Sequence, residues 1–180
     1  MNKIETLTHC EILNNKAVNS IIGVAFFALA TVMASYVRIP VIGSPVPITL
    51  GTFFALLSGA VLGRKLGILS QIAIFAPMAL YVAGPTGGYM AGFVAASFIV
   101  GSITEKKNLN IFQAVAVLAL GNAIIYTFGM LHLIFVYHMS AAAAFTAGAL
   151  PFVPGDIAKI CIAAVIYTKI SSRTKAIFLS

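Results

Sequence analysis

Asp156 and Lys159 stand three residues apart in "PFVPGDIAKICIAAVIYTK" (Pro151 to Lys169), and everything from Ile160 to Tyr167 is apolar or small. On a helix, that spacing puts a carboxylate and an ammonium on one face, one turn apart. In lipid each charge costs roughly 2.5–3.5 kcal/mol on insertion scales. Pairing recovers part of the cost, and a buried ion pair is weak grounds for stability. Two such groups are worth keeping for what they bind: the carboxylate accepts hydrogen bonds and the ammonium donates them. The plainer alternative is that the two merely neutralise one another inside a bundle. Pro151 and Pro154 lack a backbone N–H and suit the first turn of a helix, so the regular helix is expected to begin near Gly155. Asp156 then lies beside free N–H groups at the positive end of the helix dipole. An interrupted helix at membrane depth is tolerated where it is buried in protein or lines a cavity, and transporters place substrate sites at such ends.

Other stretches carry weaker signals. "AGPTGGYMAG" (Ala83 to Gly92) joins the Gly87–Gly88 pair to Tyr89. The glycines let the backbone come close to a ligand or to another helix, with an aromatic face beside it, or the stretch is a tight outer turn with an interfacial tyrosine. "PVIGSPVPITL" (Pro40 to Leu50) is a rigid, uncharged loop, either a lid over a pocket or a plain connector. Ala30 and Ala34 are four apart, as are Gly59, Gly63 and Gly67, a spacing that lets helices pack closely in lipid. Gln71 and Asn122 read as hydrogen bonds within the bundle, while Tyr126 and Gly129 offer a weak second cavity wall. Enzyme chemistry finds little footing. There is no phosphate-binding G-x-x-x-x-G-K-[ST] loop, and His9, His132 and His138 form no metal-binding pair. With four acids in the whole chain, no second intramembrane carboxylate is available for acid–base work. No metal and no cofactor are expected.

The elements that must position these residues follow from composition. The 180-residue chain is 61% hydrophobic and 8% charged, against about 25% charged in soluble domains, and its mean hydropathy is +1.05. A bilayer span needs about 20 mostly apolar residues. Six runs are predicted, at about 17–37, 48–63, 66–83, 88–104, 110–136 and 147–170. The expected fold is therefore all-α, a polytopic bundle of six transmembrane helices without an attached soluble domain. Its expected parts are an N-terminal segment over 1–16, a membrane domain over 17–173 and a C-terminal tail over 174–180. The first sixteen residues mix charges with polar neighbours and do not resemble a cleavable signal. Cys10 and Cys161 are too few for a disulfide framework. The net charge of +7 is gathered in small clusters between apolar runs, which is the pattern of membrane flanks and not of a nucleic-acid surface. Lys3 and Lys16, Arg64 and Lys65, Lys106 and Lys107, and then Lys169, Arg173 and Lys175 all fall on one side of a six-span chain; Arg38 alone falls on the other. The basic side is expected to be cytoplasmic. Both termini then face the cytoplasm of a cell-membrane protein, and the loops at 38–47, 84–88 and 137–146 face outward. Lys159 lies ten positions before Lys169, or roughly 15 Å above the inner interface.

"VPITL" (Val46 to Leu50), "GPTGGYMAGF" (Gly84 to Phe93) and "PFVPGDIAK" (Pro151 to Lys159) occur in this order, and with them the chain resembles the BioY family. These are the biotin-specific substrate-binding subunits of energy-coupling factor transporters. The resemblance spans all six runs and implies six membrane helices with both termini inside, and capture of biotin from outside. It also implies docking to a transmembrane coupling subunit and two cytoplasmic ATPases, with no enzymatic activity in the chain itself. It assigns ligand contacts to Asp156 and Lys159. By the same resemblance Thr86, Gly87, Gly88 and Tyr89 wall the pocket, and the Val46–Leu50 loop, with Ile48 and Thr49, covers it. Ala30 and Ala34 match the family's A-x-x-x-A surface for the coupling subunit. Departures are Gly51, where family members usually carry glutamine, a compressed stretch from Phe75 to Gly84, and His132, where tryptophan is common. They leave open which residues hold the ligand carboxylate. Two other functions compete: an ion-coupled secondary carrier in which Asp156 titrates, and a structural membrane subunit without a ligand.

Overall fold

The computed structural model describes residues 15–179; Lys3, His9 and Cys10 lie outside the described residues. Among the described residues the fold is helical, with no named strand. In chain order the helices are α1 (Lys16–Tyr36), α2 (Gly51–Ile72), α3 (Ala79–Val82), α4 (Gly87–Thr104), α5 (Ile111–Tyr137), α6 (Ala141–Gly148) and α7 (Val153–Phe178), with a 3-10 turn at Leu150–Phe152 before α7. Five stretches are long and apolar enough to cross a membrane: α1, α2, α4, α5 and the continuous run Ala141–Phe178.

Several ends are dictated locally. Asn15 caps α1 by accepting from the Ala17 N–H. Asn110 and Gln113 form a reciprocal capping box at the start of α5, which satisfies two donors that the helix leaves open. Ser140 caps α6 through the Ala143 N–H. That cap is why the stretch expected as the outward loop 137–146 is partly helical.

The α2 run is two arms meeting at Gly63, whose φ of 77° and ψ of −178° lie outside the helical range. The chain doubles back there. Gln71 on the second arm donates to Ser58 on the first at 3.1 Å, although thirteen residues of straight helix would separate them by about 20 Å. A Cβ on Gly67 would lie 3.0 Å from the Gly59 Cα. Gly59, Gly63 and Gly67 thus do allow close packing, but of one hairpin upon itself. The predicted break between the second and third runs is real. The third run, however, does not stay helical to residue 83. It unwinds into turns after Ile72 around Pro77, which cannot donate a backbone hydrogen bond, and regains only the one-turn helix α3.

The α2 hairpin is the centre of the bundle. It packs on α1, α4 and α7; α4 packs on α5, and α5 on α7. The core between them holds Leu56, Leu62, Leu118, Ile125, Leu133 and Tyr167. A buried polar cluster ties the hairpin to α1 and α4: Gln71 reaches Thr31, Ser58 and Ser70, and Ser58 pairs with Ser97. This is the within-bundle role expected of Gln71. The last helix begins as predicted, with Pro154 and Asp156 in its first turn. It runs on to Phe178, so most of the expected tail at 174–180 is helical.

Candidate functional site

The first turn of α7 directs Asp156 into the bundle, where it is 3% exposed. Its carboxylate is held from three sides. Oδ1 lies 2.6 Å from Lys159 Nζ. Oδ2 accepts from the Tyr126 hydroxyl at 2.6 Å and from the Asn122 amide at 3.4 Å. Tyr126 and Asn122 are four apart on α5, so one helix face supplies both donors. Charge-assisted bonds of this kind are about twice as strong as neutral ones, and they let a carboxylate stay in a place that otherwise excludes it. Asn122 keeps its bundle role, but the group it steadies is the site carboxylate.

Lys159 makes a second contact that the spacing does not reveal. Its Nζ donates to the Thr49 carbonyl at 2.8 Å, so it joins α7 to the loop at 37–50. That loop is an ordered strap. Ile39 and Ile48 form an antiparallel bridge with N–O distances of 2.9 Å both ways. Ser44 accepts from Val46 N–H and donates to the Ala147 carbonyl at 2.7 Å, which ties the strap to α6. An ammonium has three protons; two are used here, and one remains for a third partner.

Beneath the strap lies a cavity lined by the Asp156–Lys159 pair, Tyr126, Thr86, Tyr89, the strap residues Val46 to Thr49, and the apolar side chains of Met78, Met90, Phe93 and Phe152. Its free volume is ≈ 60 Å³. On a measure in which one water needs roughly 10–15 Å³, that is room for a few waters. Arg38, Ser35 and Thr52 complete the wall. Arg38 donates from Nε to the Ser35 carbonyl at 3.1 Å, and its guanidinium lies 3.8 Å above the Tyr81 ring, a cation–π contact. The Thr52 hydroxyl is buried without a protein partner.

Six of the predicted contacts, Ile48, Thr49, Thr86, Tyr89, Asp156 and Lys159, meet around this one space. Gly87 and Gly88 do not line it. A Cβ on Gly88 would come within 2.6 Å of the Phe128 carbonyl oxygen and overlap the His132 side chain, and one on Gly87 would run into the Val82 carbonyl, so Gly88 seats the start of α4 on α5 and Gly87 seats it against α3. Tyr89 offers its ring and not its hydroxyl, which donates to the Gly148 carbonyl at 2.6 Å; Gly129 leaves the space in which that ring lies. Gly51, the departure beside the strap, packs under Ser35 and Phe93. Of the pair on α1, Ala34 is 8% exposed and Ala30 half-buried. The open face of that helix is made instead by Ile22, Phe26, Leu29 and Met33. Arg38, Ser35, Thr52 and Met78 are wall residues that the sequence does not single out. Arg38 does carry a signal, since it is the one loop cation expected away from the basic side.

This arrangement suits a neutral polar head with N–H donors and a carbonyl, an apolar body and an anionic end near Arg38. Known proteins share both the sequence and the fold. The chain matches the BioY family over residues 5–176. It is 35% identical over 159 residues to the biotin transporter BioY of Thermotoga maritima, covering 81% of this chain and 92% of that protein. It is 32% identical to the probable biotin transporter BioY of Pyrococcus horikoshii, covering 84% and 95%. A crystal structure of the S-component for biotin from an ECF-type ABC transporter superposes with a TM-score of 0.80 at 25% identity, over 88% of this chain and 94% of that one. With the motifs, the fold and the buried pair in agreement over nearly its full length, the chain belongs to the BioY family.

Proposed function

We propose that this chain is the biotin-binding S subunit of an ECF-type transporter and captures biotin for uptake. The observation that carries the reading is the Asp156–Lys159 pair, which is buried in an apolar helix and also lines a cavity. A pair serving only its own neutralisation has no need of free space beside it. The ureido ring of biotin presents N–H donors, which Asp156 accepts, and a carbonyl, which takes the remaining Lys159 proton. The thiophane ring and valeryl chain lie against Tyr89, Met90 and Phe93. Arg38 faces the carboxylate across the wall. A cavity this small must widen for a bicyclic vitamin, and the strap is the part that moves, because Lys159 and Ser44 hold it by single hydrogen bonds.

The reading extends to topology and partners. If the first arm of α2 makes one pass and the second arm, continued through the turns and α3 to residue 83, makes another, the chain makes six passes, with both termini on the basic, cytoplasmic side. Energy for release comes from partners, a coupling subunit and two cytoplasmic ATPases, against which the open face of α1, with Ala30 at its edge, is the surface offered. The chain itself is read as non-enzymatic.

Isothermal titration of the purified protein with biotin, with riboflavin and thiamine as controls, tests the assignment. Binding of biotin alone, without ATP, is expected, and Asp156→Asn or Lys159→Ala is expected to weaken it sharply. Unchanged affinity in both variants excludes the pair as the site. Uptake into liposomes by this chain alone, driven by an ion gradient and indifferent to ATP, would instead establish the secondary carrier.

A further inference from the structure

At the basic end of the bundle a second, open groove of ≈ 420 Å³ lies where α1 begins, α2 turns, and α4 and α7 end. Leu62 and Leu66 come from the two sides of the Gly63 turn, Ser20 from α1, and Phe178 and Leu179 from the end of α7. Its rim is Arg64, Lys65 and Glu105. One wall is apolar and the rim is charged, a division quite unlike that of the biotin cavity.

The rim is unbalanced. Glu105 is already committed to the turn. Its Oε1 accepts the Arg64 backbone N–H at 2.7 Å, and its Oε2 lies 3.4 Å from Arg64 Nε. Among the described residues the only other acid is Asp156, which is held in the cavity described above. Among the described residues, the outer nitrogens of Arg64, whose side chain is 50% exposed, and the exposed Lys65 ammonium therefore face the groove with no further side-chain carboxylate beside them.

We propose that the groove holds one anionic phospholipid, its phosphate between Arg64 and Lys65 and the upper part of an acyl chain along Leu66, Phe178 and Leu179. The occupant follows from the pairing of surfaces. Two cations side by side suit a phosphate, and the apolar wall beside them suits a chain that enters the bilayer at that level. A free phosphate would leave that wall wet. Basic clusters beside membrane helices attract anionic lipid in general; here the groove gives the attraction a defined seat. The site itself does not depend on biotin. The proposed orientation only places it in the cytoplasmic leaflet.

The test is native mass spectrometry of the full chain released from detergent with dioleoyl phosphatidylglycerol or dioleoyl phosphatidylcholine, alongside biotin titration of the same samples. One retained phosphatidylglycerol, in preference to phosphatidylcholine, is expected. Each charge removed from the rim should weaken retention about fivefold. The double variant Arg64→Gln with Lys65→Gln then loses roughly 25-fold, while Lys106→Gln with Lys107→Gln, basic residues outside the groove, stays within twofold of the parent. Both variants should bind biotin like the parent. Retention without headgroup preference, equal loss in the two double variants, or displacement by glycerol phosphate alone would overturn the proposal. Full retention by the Arg64/Lys65 variant would also overturn it and would leave the rim to an acidic segment of a partner protein. Loss of biotin binding by the parent with lipid retention intact would count against the proposed function and not against this site.

Discussion

Asp156 is held by three partners from two helices, and that division of labour sets what each substitution should do. Removing the charge of Lys159 leaves a buried carboxylate half-compensated, and breaking a buried pair typically costs 3–5 kcal/mol. Lys159→Ala is therefore expected to lower folding stability. By removing the proton proposed for the ureido carbonyl, a hydrogen bond to a charged group of about 1.5–3 kcal/mol, it is also expected to lower biotin affinity roughly tenfold to a hundredfold. Tyr126→Phe removes one bond to a charged group, about 1.5–3 kcal/mol, and keeps the ring that walls the cavity. Titration should show a loss of roughly tenfold to a hundredfold. Arg38 acts at the other end. Arg38→Ala should weaken biotin about tenfold but leave the binding of biotin methyl ester, which carries no charge there, within twofold. An equal loss for acid and ester would remove Arg38 from the carboxylate site.

Among the elements, the Gly63 turn combines a positive φ with close neighbours. Its φ of 77° disfavours any side chain, and a Cβ there would lie 2.6 Å from Leu179 and against Glu105. Gly63→Ala is expected to destabilise the protein by about 1–3 kcal/mol, visible as a lower unfolding temperature in detergent, with the biotin affinity of the folded fraction unchanged because the turn is remote from the cavity. The strap behaves differently. It is tied to α7 through Lys159, to α6 through Ser44 and to α1 through the bond from Leu50 N–H to the Ala34 carbonyl. Ser44→Ala removes one of these ties together with the bond from Val46 N–H, at a residue that does not itself line the cavity. It should speed both association and release of biotin in stopped-flow experiments while changing the equilibrium affinity by less than about fivefold. A rate change confined to release would mean that the strap contributes contacts and does not gate entry.

Across the whole molecule, polarity runs from one end to the other. Arg38 and the strap mark one end; Arg64, Lys65, Lys106 and Lys107 mark the other. In a chain whose own cysteines are replaced by serine, Ile42→Cys at the tip of the strap, where the native side chain is fully exposed, should react in intact cells with a membrane-impermeant maleimide. Lys107→Cys should react only after permeabilisation. Labelling of both sites in intact cells would refute the proposed orientation. An apolar exterior follows from the same arrangement. α1 has only 28% of its most apolar window buried within the chain, which suits a helix that meets lipid or another subunit.

Composition and charge order determined the helical class, the apolar character of each long stretch and the separation of a basic end from a nearly uncharged one, because these depend on residues summed over whole segments. The motif around Asp156 and Lys159 was equally legible, since a helix places residues three apart on one face whatever surrounds it. Only the tertiary structure decided that Tyr126 and Asn122 complete the carboxylate's shell, that Lys159 latches the strap, and that Arg38 belongs to the cavity. These contacts join residues 30 to 110 positions apart, and a local pattern carries no record of them. The same limit explains the glycines. Gly87 and Gly88 read as an approach to a ligand or to another helix, or as a tight turn, because glycine permits any close contact. What comes close is the Val82 carbonyl at Gly87 and the Phe128 carbonyl and His132 at Gly88, and that is fixed by how α4 packs on α3 and α5.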